Sequence, residues 1–393
     1  MSDLSVTLGG VKLRSPIIVA AGPLTSKVKR IKKAEECGAG AVSVKHIFHE
    51  QPFQGRPRYW LDPQLGIIVC SDKRLDLDEG IQLISEAKAQ TNIPVIANMS
   101  GPGTNAEGWG EVAQKLAEAG ADMIEINLNC PNLGLSANVK LAEDVMLGAN
   151  IGQVPELAKA VTEHVRAAVD IPVIVKLTSE GGKLLAVAKG CSEAGADALN
   201  VRATFQAAPG IDIYDGGKPL VTGLNGKVSF GGLTGRWSRL ISNRFISQTV
   251  QTVPTPIIGG GGIFQWEHVV EKIMYGSTAV QMCTALILNG VETVRRMLEK
   301  LDAYLESQGY SDLSAIRGAA LKYLTTAPKL EFVPVVAHVN ADLCNGCTRC
   351  TVIGSCDAIA MVERKAVINR DECVGCSLCS WVCPKKAINM VRI

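Results

Sequence analysis

Residues 171–201 read IPVIVKLTSEGGKLLAVAKGCSEAGADALNV, and this stretch decides the fold class. Pro172 launches a strand run, 173–177, that opens on the consecutive apolar residues Val173-Ile174-Val175. A longer stretch follows and closes on Glu193-Ala194-Gly195-Ala196-Asp197, where Gly195 is the residue type that ends a helix. A second apolar run, 198–201, comes directly after. Strand, helix, strand, with strands apolar on both faces, is the pattern of a parallel sheet covered by helices.

The same punctuation recurs on both sides. Ile93-Pro94-Val95-Ile96 and Thr255-Pro256-Ile257-Ile258 launch strands, and Glu118-Ala119-Gly120-Ala121-Asp122 closes a helix. Further apolar runs at 17–21, 41–45, 95–99, 123–128, 257–259 and 279–282 complete a set of eight. The fold class is therefore α/β. Eight strand–helix units in about 300 residues fit a (β/α)8 TIM barrel, although an open doubly wound sheet would show the same count. The barrel is placed over residues 1–310 and a linker over 311–336, where Pro328 and Pro334 interrupt helical continuation. A small ferredoxin-like α+β domain is placed over 337–393. The Gly-rich segment 206–237 is a long insertion after the sixth strand, where barrel loops serve ligands.

Forty Lys+Arg stand against 38 Asp+Glu, a net charge of +2. That implies no long-range positive field and argues against a nucleic-acid partner. The start, Met1-Ser2-Asp3-Leu4, has neither the basic nor the apolar region of a signal peptide, and no apolar run approaches a membrane helix in length. A cytoplasmic location is expected. Of 13 cysteines, eight lie between Cys344 and Cys383. Clustering without export points to metal or cluster ligation rather than disulfides.

The second half of that array is Cys373-Val-Gly-Cys376-Ser-Leu-Cys379-Ser-Trp-Val-Cys383-Pro384, the bacterial ferredoxin run complete to its proline. The first half is Cys344-Asn-Gly-Cys347-Thr-Arg-Cys350, then Cys356. In such duplicated runs the fourth cysteine ligates the other cluster. One 4Fe–4S cluster then takes Cys344, Cys347, Cys350 and Cys383, and the other takes Cys373, Cys376, Cys379 and Cys356. The first half departs from the pattern in the longer spacing to Cys356 and in Asp357 where Pro is usual. Zinc also takes four cysteines and is the competing reading. A cluster pair moves single electrons and makes no bonds, so the barrel needs a converter to two-electron chemistry, for which a flavin is suited.

Asn127-Leu128-Asn129-Cys130-Pro131-Asn132 ends the fourth strand at the face where barrels carry catalytic groups. A cysteine there can exchange a proton; Cys37, Cys70, Cys191 and Cys283 read as small buried hydrophobes. Lys45 and Lys176 each end an apolar strand and require an anionic partner if buried. An anionic reduced flavin is one such partner. Gly231–Gly235 and the run Gly259-Gly260-Gly261-Gly262 offer backbone N–H groups to a phosphate. The loop from His46 to Trp60 carries His46, His49, Arg56 and Arg58, which are either a solvated face or a site for an acidic substrate.

With these motifs the chain resembles the dihydroorotate dehydrogenase superfamily, and the barrel joined to a duplicated cluster module is similar to that of dihydropyrimidine dehydrogenases. The resemblance covers nearly the whole chain. It implies an FMN-binding barrel in which Cys130 is the general acid/base, with Lys45 and Lys176 against the isoalloxazine. Ala20, Ala21, Gly22, Asn98 and Asn127 would line the flavin, and Gly232, Gly261, Gly262, Cys283 and Thr284 would surround its phosphate. Asn105, Asn129, Asn132, Arg202 and Thr204 would face the substrate. One departure is marked: Ala203-Thr204 stand where pyrimidine-reading members carry Asn-Thr, and Arg202 stands beside them. The expectation is an anaerobic-type enzyme passing electrons between clusters, FMN and a C=C/CH–CH bond of a pyrimidine-like or carboxylated ring. The donor would be a ferredoxin or an FAD/NAD(P)H reductase subunit, and a homo-oligomer is expected. The rival is an electron-transfer subunit with a non-catalytic barrel.

Overall fold

The computed structural model describes residues 2–48, 55–103, 105–130 and 146–393. They form two compact units, Met1–Tyr323 and Leu324–Ile393.

In the first unit, eight parallel strands close on themselves: β1 (Ile17–Val19), β2 (Ala41–Ser43), β3 (Val95–Ser100), β4 (Met123–Asn127), β5 (Val173–Lys176), β6 (Ala198–Val201), β7 (Ile257–Gly260) and β8 (Ala279–Met282). Val280 of β8 pairs with Ile17 of β1, and Val42 of β2 with Val95 of β3, so no edge remains open between them. The sheet is a closed barrel, not a doubly wound one. Between and after the strands run α1 (Val28–Glu36), α2 (Leu77–Gln90), α3 (Ala106–Glu118), α4 (Pro155–Ala168), α5 (Leu184–Glu193), α6 (Ser238–Val250), α7 (Trp266–Met274) and α8 (Thr293–Gln308).

Local chemistry sets these boundaries. Asp76 and Glu79 form a reciprocal capping box at the start of α2, and Pro155 opens α4. The repeated Glu-Ala-Gly-Ala-Asp stretches work identically. Gly120 and Gly195 take positive φ after α3 and α5. The aspartate that follows turns back to the preceding strand: Asp122 accepts from Val95 N at 2.7 Å and Asp197 from Val173 N at 2.8 Å. Each aspartate also holds a cation, Lys88 or Arg166.

An N-terminal hairpin, Val6–Leu8 with Val11–Leu13, drives Leu8 and Leu13 into the barrel floor against Ile18, Ile96, Met123 and Ile174. The barrel is therefore filled from below by hydrocarbon. Its other end is bordered by an antiparallel sheet in the order Phe205–Ala207, Gly231–Thr234, Gly66–Ser71, Arg58–Asp62. The Gly-rich insertion supplies half of that sheet.

The second unit pairs β9 (Val335–Val339) with β12 (Ile388–Arg392), and β10 (Ile359–Val362) with β11 (Lys365–Ile368), all antiparallel; α9 (Leu378–Val382) lies before β12. Its small core combines Ala337, Ile359, Ala366 and Ile388 with the cysteines. Residues 311–336 hold three 3-10 turns, Leu313–Ala315, Leu321–Tyr323 and Ala327–Lys329, and the first residues of β9. Among the described residues no helix is long and apolar enough to cross a membrane.

Candidate active site and cluster sites

Above the hydrocarbon floor, the inward positions of the strands turn polar. Glu125 of β4 is fully buried, and its carboxylate accepts from Ser43 Oγ at 2.7 Å, Asn200 Nδ2 at 2.6 Å and Gln281 Nε2 at 3.0 Å, with Asn98 Nδ2 a further donor. Lys176 Nζ completes the ring, 3.3 Å from Glu125 Oε2 and 2.7 Å from Gln281 Oε1. Burial alone would raise the Glu125 pKa, but Lys176 and the bonds from Ser43, Asn200 and Asn98 hold it below the ordinary carboxylate value. Burial pushes the Lys176 pKa down, opposed by Glu125. The pair is a buried salt bridge whose remaining valences are taken by amides, the condition under which such a pair is tolerated.

Two adjoining cavities open over this layer and share Ala21, Gly22, Asp72, Arg202 and Thr204. One, of about 690 Å³, is lined by Lys45, His46, Arg74, Asn127, Asn129, Cys130, Lys176 and Gly232. Cys130 is half-buried beside Phe48 and Leu147. Lys45 is buried and ion-paired to Asp72, which Tyr59 Oη also approaches. His46 contacts Ser100 Oγ; burial, then Arg74, Lys45 and Lys176, pull its pKa well below the usual range, so the imidazole is neutral. With its amide turned so that nitrogen faces Leu177 O, Asn129 accepts from Arg202 Nη2 at 3.1 Å. Among the described residues, the cations Lys45, Arg74, Lys176 and Arg202 and the carboxylates Asp72 and Glu125 stand around this site.

The other cavity, of about 860 Å³, is lined by Gly261, Gly262, Cys283 and Thr284. Gly261 and Gly262 both have positive φ, and a Cβ would lie 2.4 Å from Ser242 Oγ or 2.5 Å from Arg239 N. The backbone there is packed against the start of α6 at a distance only glycine permits. The Thr204 hydroxyl borders both cavities and is buried without a partner among the described residues. Glycine backbone at one end, Lys45, Lys176 and Arg202 at the other, and between them a hydroxyl without a partner among the described residues, fit a phosphate-bearing redox ring. FMN supplies hydride transfer when bound.

In the second unit the cysteines sort into two cavities. Cys344, Cys347, Cys350 and Cys383 line one; Cys356, Cys373, Cys376 and Cys379 line the other. No group of three or more His, Cys, Asp or Glu among the described residues could hold a single metal ion. Each quartet is the four-thiolate donor set that a 4Fe–4S cluster takes.

The structure brings Cys130, Lys45, Lys176, Asn127, Asn129, Arg202 and Thr204 to one cavity, with Ala21 and Gly22 between the two. Gly232 lines the cavity holding Cys130 rather than that of Gly261 and Gly262. Asn98 lies behind the site, bonded to Glu125 and Asn127. Ala20 is buried and lines neither cavity. Asn105 is exposed and caps α3 by accepting from Gly108 N at 3.0 Å, so it faces neither cavity. Asn132 and His49 lie outside the described residues, and Arg56 and Arg58 line neither cavity. Sequence reading missed Glu125, Gln281, Asn200, Asp72 and Arg74. The first three are single polar residues at inward places in apolar strands, and nothing local in the sequence shows that they meet.

An FMN barrel with four-cysteine cluster sites is an oxidoreductase that joins one-electron and two-electron chemistry, and the comparisons agree. The dihydroorotate dehydrogenase family profile matches residues 3–305, and the 4Fe–4S binding domain matches 366–389. The chain belongs to the dihydroorotate dehydrogenase family; it is a flavin oxidoreductase acting on CH–CH bonds, with FMN and 4Fe–4S clusters. It is 30% identical over 367 residues to the NAD-dependent dihydropyrimidine dehydrogenase subunit PreA of Escherichia coli, covering 89% of this chain and 85% of that one. It is 34% identical over 322 residues to the catalytic subunit of dihydroorotate dehydrogenase B (NAD(+)) of Methanosarcina mazei, covering 81% and 96%. The Pyrococcus abyssi counterpart is 31% identical over 327 residues.

Proposed function

We propose that the barrel exchanges hydride and a proton with a C=C/CH–CH bond of a cyclic, anion-bearing substrate, with Cys130 as general acid/base. The observation that carries this is the convergence of Cys130, Lys45, Lys176 and Arg202 on one cavity. Cys130 Sγ delivers the proton to the carbon next to the one that gains hydride; in dehydrogenation it removes it. Lys176, fixed by Glu125 and Gln281, presents positive charge where a reduced ring gathers negative charge. Lys45, held by Asp72, does the same from β2. His46, being neutral, can donate or accept a hydrogen bond without adding charge.

The relatives' names point to a pyrimidine ring. The wall of this cavity favours a carboxylated or otherwise anionic member of that chemical type. Ala203, buried where an amide is expected, lines the adjoining cavity of Gly261 and Gly262, while Arg74 and Arg202 line this one. A site built on amide bonds loses discrimination when one is removed. Electrons reach the clusters from a ferredoxin or an FAD/NAD(P)H reductase subunit, in a cytoplasmic, anaerobic-type setting, and the enzyme is a homo-oligomer. The test is anaerobic mixing of reduced holoprotein with uracil, thymine, orotate and non-pyrimidine cyclic unsaturated carboxylates, watching flavin reoxidation. Carboxylated rings should reoxidise it and uracil and thymine should not. Efficient turnover of uracil or thymine would refute the substrate reading.

A further inference from the structure

The two halves of the cysteine-rich unit correspond at one constant interval. Asn340 matches Asn369, Cys344 Cys373, Gly346 Gly375, Cys347 Cys376, Cys350 Cys379, Ile359 Ile388 and Met361 Met390. Backbone geometry repeats with it: Gly346 and Gly375 have φ +73 and +69, Thr348 and Ser377 +62 and +68. Asn340 and Asn369 each accept from the amide two residues on, at 2.9 and 3.1 Å. The fourth cysteine alone breaks the interval. Cys383 corresponds to Gly354, and Cys356 stands two residues later, at the place of Lys385. No residue is inserted overall; one thiolate is displaced.

The surroundings of the two clusters can therefore be compared pair by pair. Around the cavity of Cys344, Cys347, Cys350 and Cys383 stand Arg349 and Lys385, and Lys365 Nζ donates to Cys344 O at 2.8 Å. Their counterparts on the other side are Leu378, Cys356 and Val336. Around the cavity of Cys356, Cys373, Cys376 and Cys379 stand Asp357 and Glu372, whose counterparts are Lys386 and Leu343. Arg370, whose counterpart is Ala341, lines a separate groove together with Lys365, and lines neither cluster cavity. Hydrogen bonds to sulfur follow the same division. Ala366 N donates to Cys344 Sγ at 3.5 Å and Ala337 N to Cys373 Sγ at 3.4 Å, a matched pair. Ala387 N donates to Cys383 Sγ at 3.2 Å, whereas among the described residues no such bond runs from its counterpart Ala358 to the displaced Cys356. Exposure does not distinguish the sites: Cys347 and Cys376 are both exposed, Cys350 and Cys379 both buried.

Reduction adds one negative charge to a cluster. Nearby cations and N–H donors favour it, and nearby carboxylates oppose it. We propose that the two clusters have unequal potentials fixed by these pairs, and that the cluster of Cys344, Cys347, Cys350 and Cys383 takes the first electron. The cluster holding the displaced Cys356 is the low-potential member.

The test is an anaerobic reductive titration of the full holoprotein, with cluster reduction followed by electron paramagnetic resonance. The wild type should show two separate cluster waves. Arg349→Leu and Glu372→Leu install the residue that the other half of the repeat already carries. Arg349→Leu should shift only the upper wave downward, and Glu372→Leu only the lower wave upward, so each narrows the gap. Arg349→Lys, which retains charge, should leave the upper wave in place and so separates charge from packing. A variant that loses iron is replaced by Lys385→Met, with the same expectation as Arg349→Leu. Coincident waves in the wild type, or waves that ignore these substitutions or respond in the opposite assignment, would overturn the proposal.

Discussion

Burying Lys176 inside a barrel is possible because Glu125 lies 3.3 Å away with its other valences filled by Ser43, Asn98, Asn200 and Gln281. Removing one partner of such a pair costs about 3–5 kcal/mol, because the other is left as an unpaired buried charge. The two partners should act oppositely on the flavin. Lys176→Met withdraws a cation and should lower the flavin potential or occupancy; Glu125→Gln strengthens the net positive field and should raise the potential. Spectroelectrochemistry of both variants checks this, and shifts of the same sign in both would contradict it. Cys130→Ala should keep flavin and clusters and accept electrons normally, yet its reduced flavin should be reoxidised by substrate more slowly, by a factor of about 10²–10⁴. Near-normal reoxidation would exclude Cys130 as the acid. That Cys130 and both lysines would gather at one end of the barrel was legible in the sequence because each lies at or just past the end of an apolar strand. Glu125 was not, since one carboxylate within the run 123–128 does not disturb its apolar pattern and its partners come from five other strands. Asn105 was misplaced because an asparagine is equally suited to cap a helix.

At the scale of elements, α7 contains a titration that has nothing to do with catalysis. Lys272 is fully buried, donates to Asn243 Oδ1 at 3.1 Å, and has its pKa pushed down to about 7 by burial, opposed by Glu271. The unfolded chain keeps that proton to about pH 10.4. Between pH 7 and that value the unfolded state binds more protons, so stability rises with pH, and the cost of the buried charge is complete below pH 7. Lys272→Met should therefore raise Tm more at pH 6 than at pH 9; equal changes would show that the lysine does not titrate there. In the loop after β7, Gly262→Ala places a Cβ 2.5 Å from Arg239 N at a positive φ. It should lower flavin occupancy and cost about 1–3 kcal/mol in stability, as thermal melts and flavin content would show. The barrel strands were legible because parallel strands buried on both faces read as continuous apolar runs. The hairpin in the floor and the antiparallel sheet were not. Gly231–Thr234 pairs with Gly66–Ser71 across more than half of the barrel sequence, and no local pattern announces such a partner.

The whole molecule combines a barrel that handles a hydride with a cysteine-rich unit that handles single electrons, and the first half of the latter was the harder to read. The cluster family profile matches only 366–389, where the pattern is complete, yet the structure gathers Cys344, Cys347 and Cys350 with Cys383, and Cys356 with the other three. If both quartets hold 4Fe–4S clusters and the barrel holds FMN, each monomer contains about eight irons and one flavin. The most direct measurement is therefore an anaerobic titration of the purified holoprotein with standardised dithionite, with iron, acid-labile sulfide and flavin determined on the same sample. The account predicts uptake of about four electrons per monomer, two by the flavin and one by each cluster. Uptake of only two electrons, or zinc in place of iron and sulfide, would contradict it.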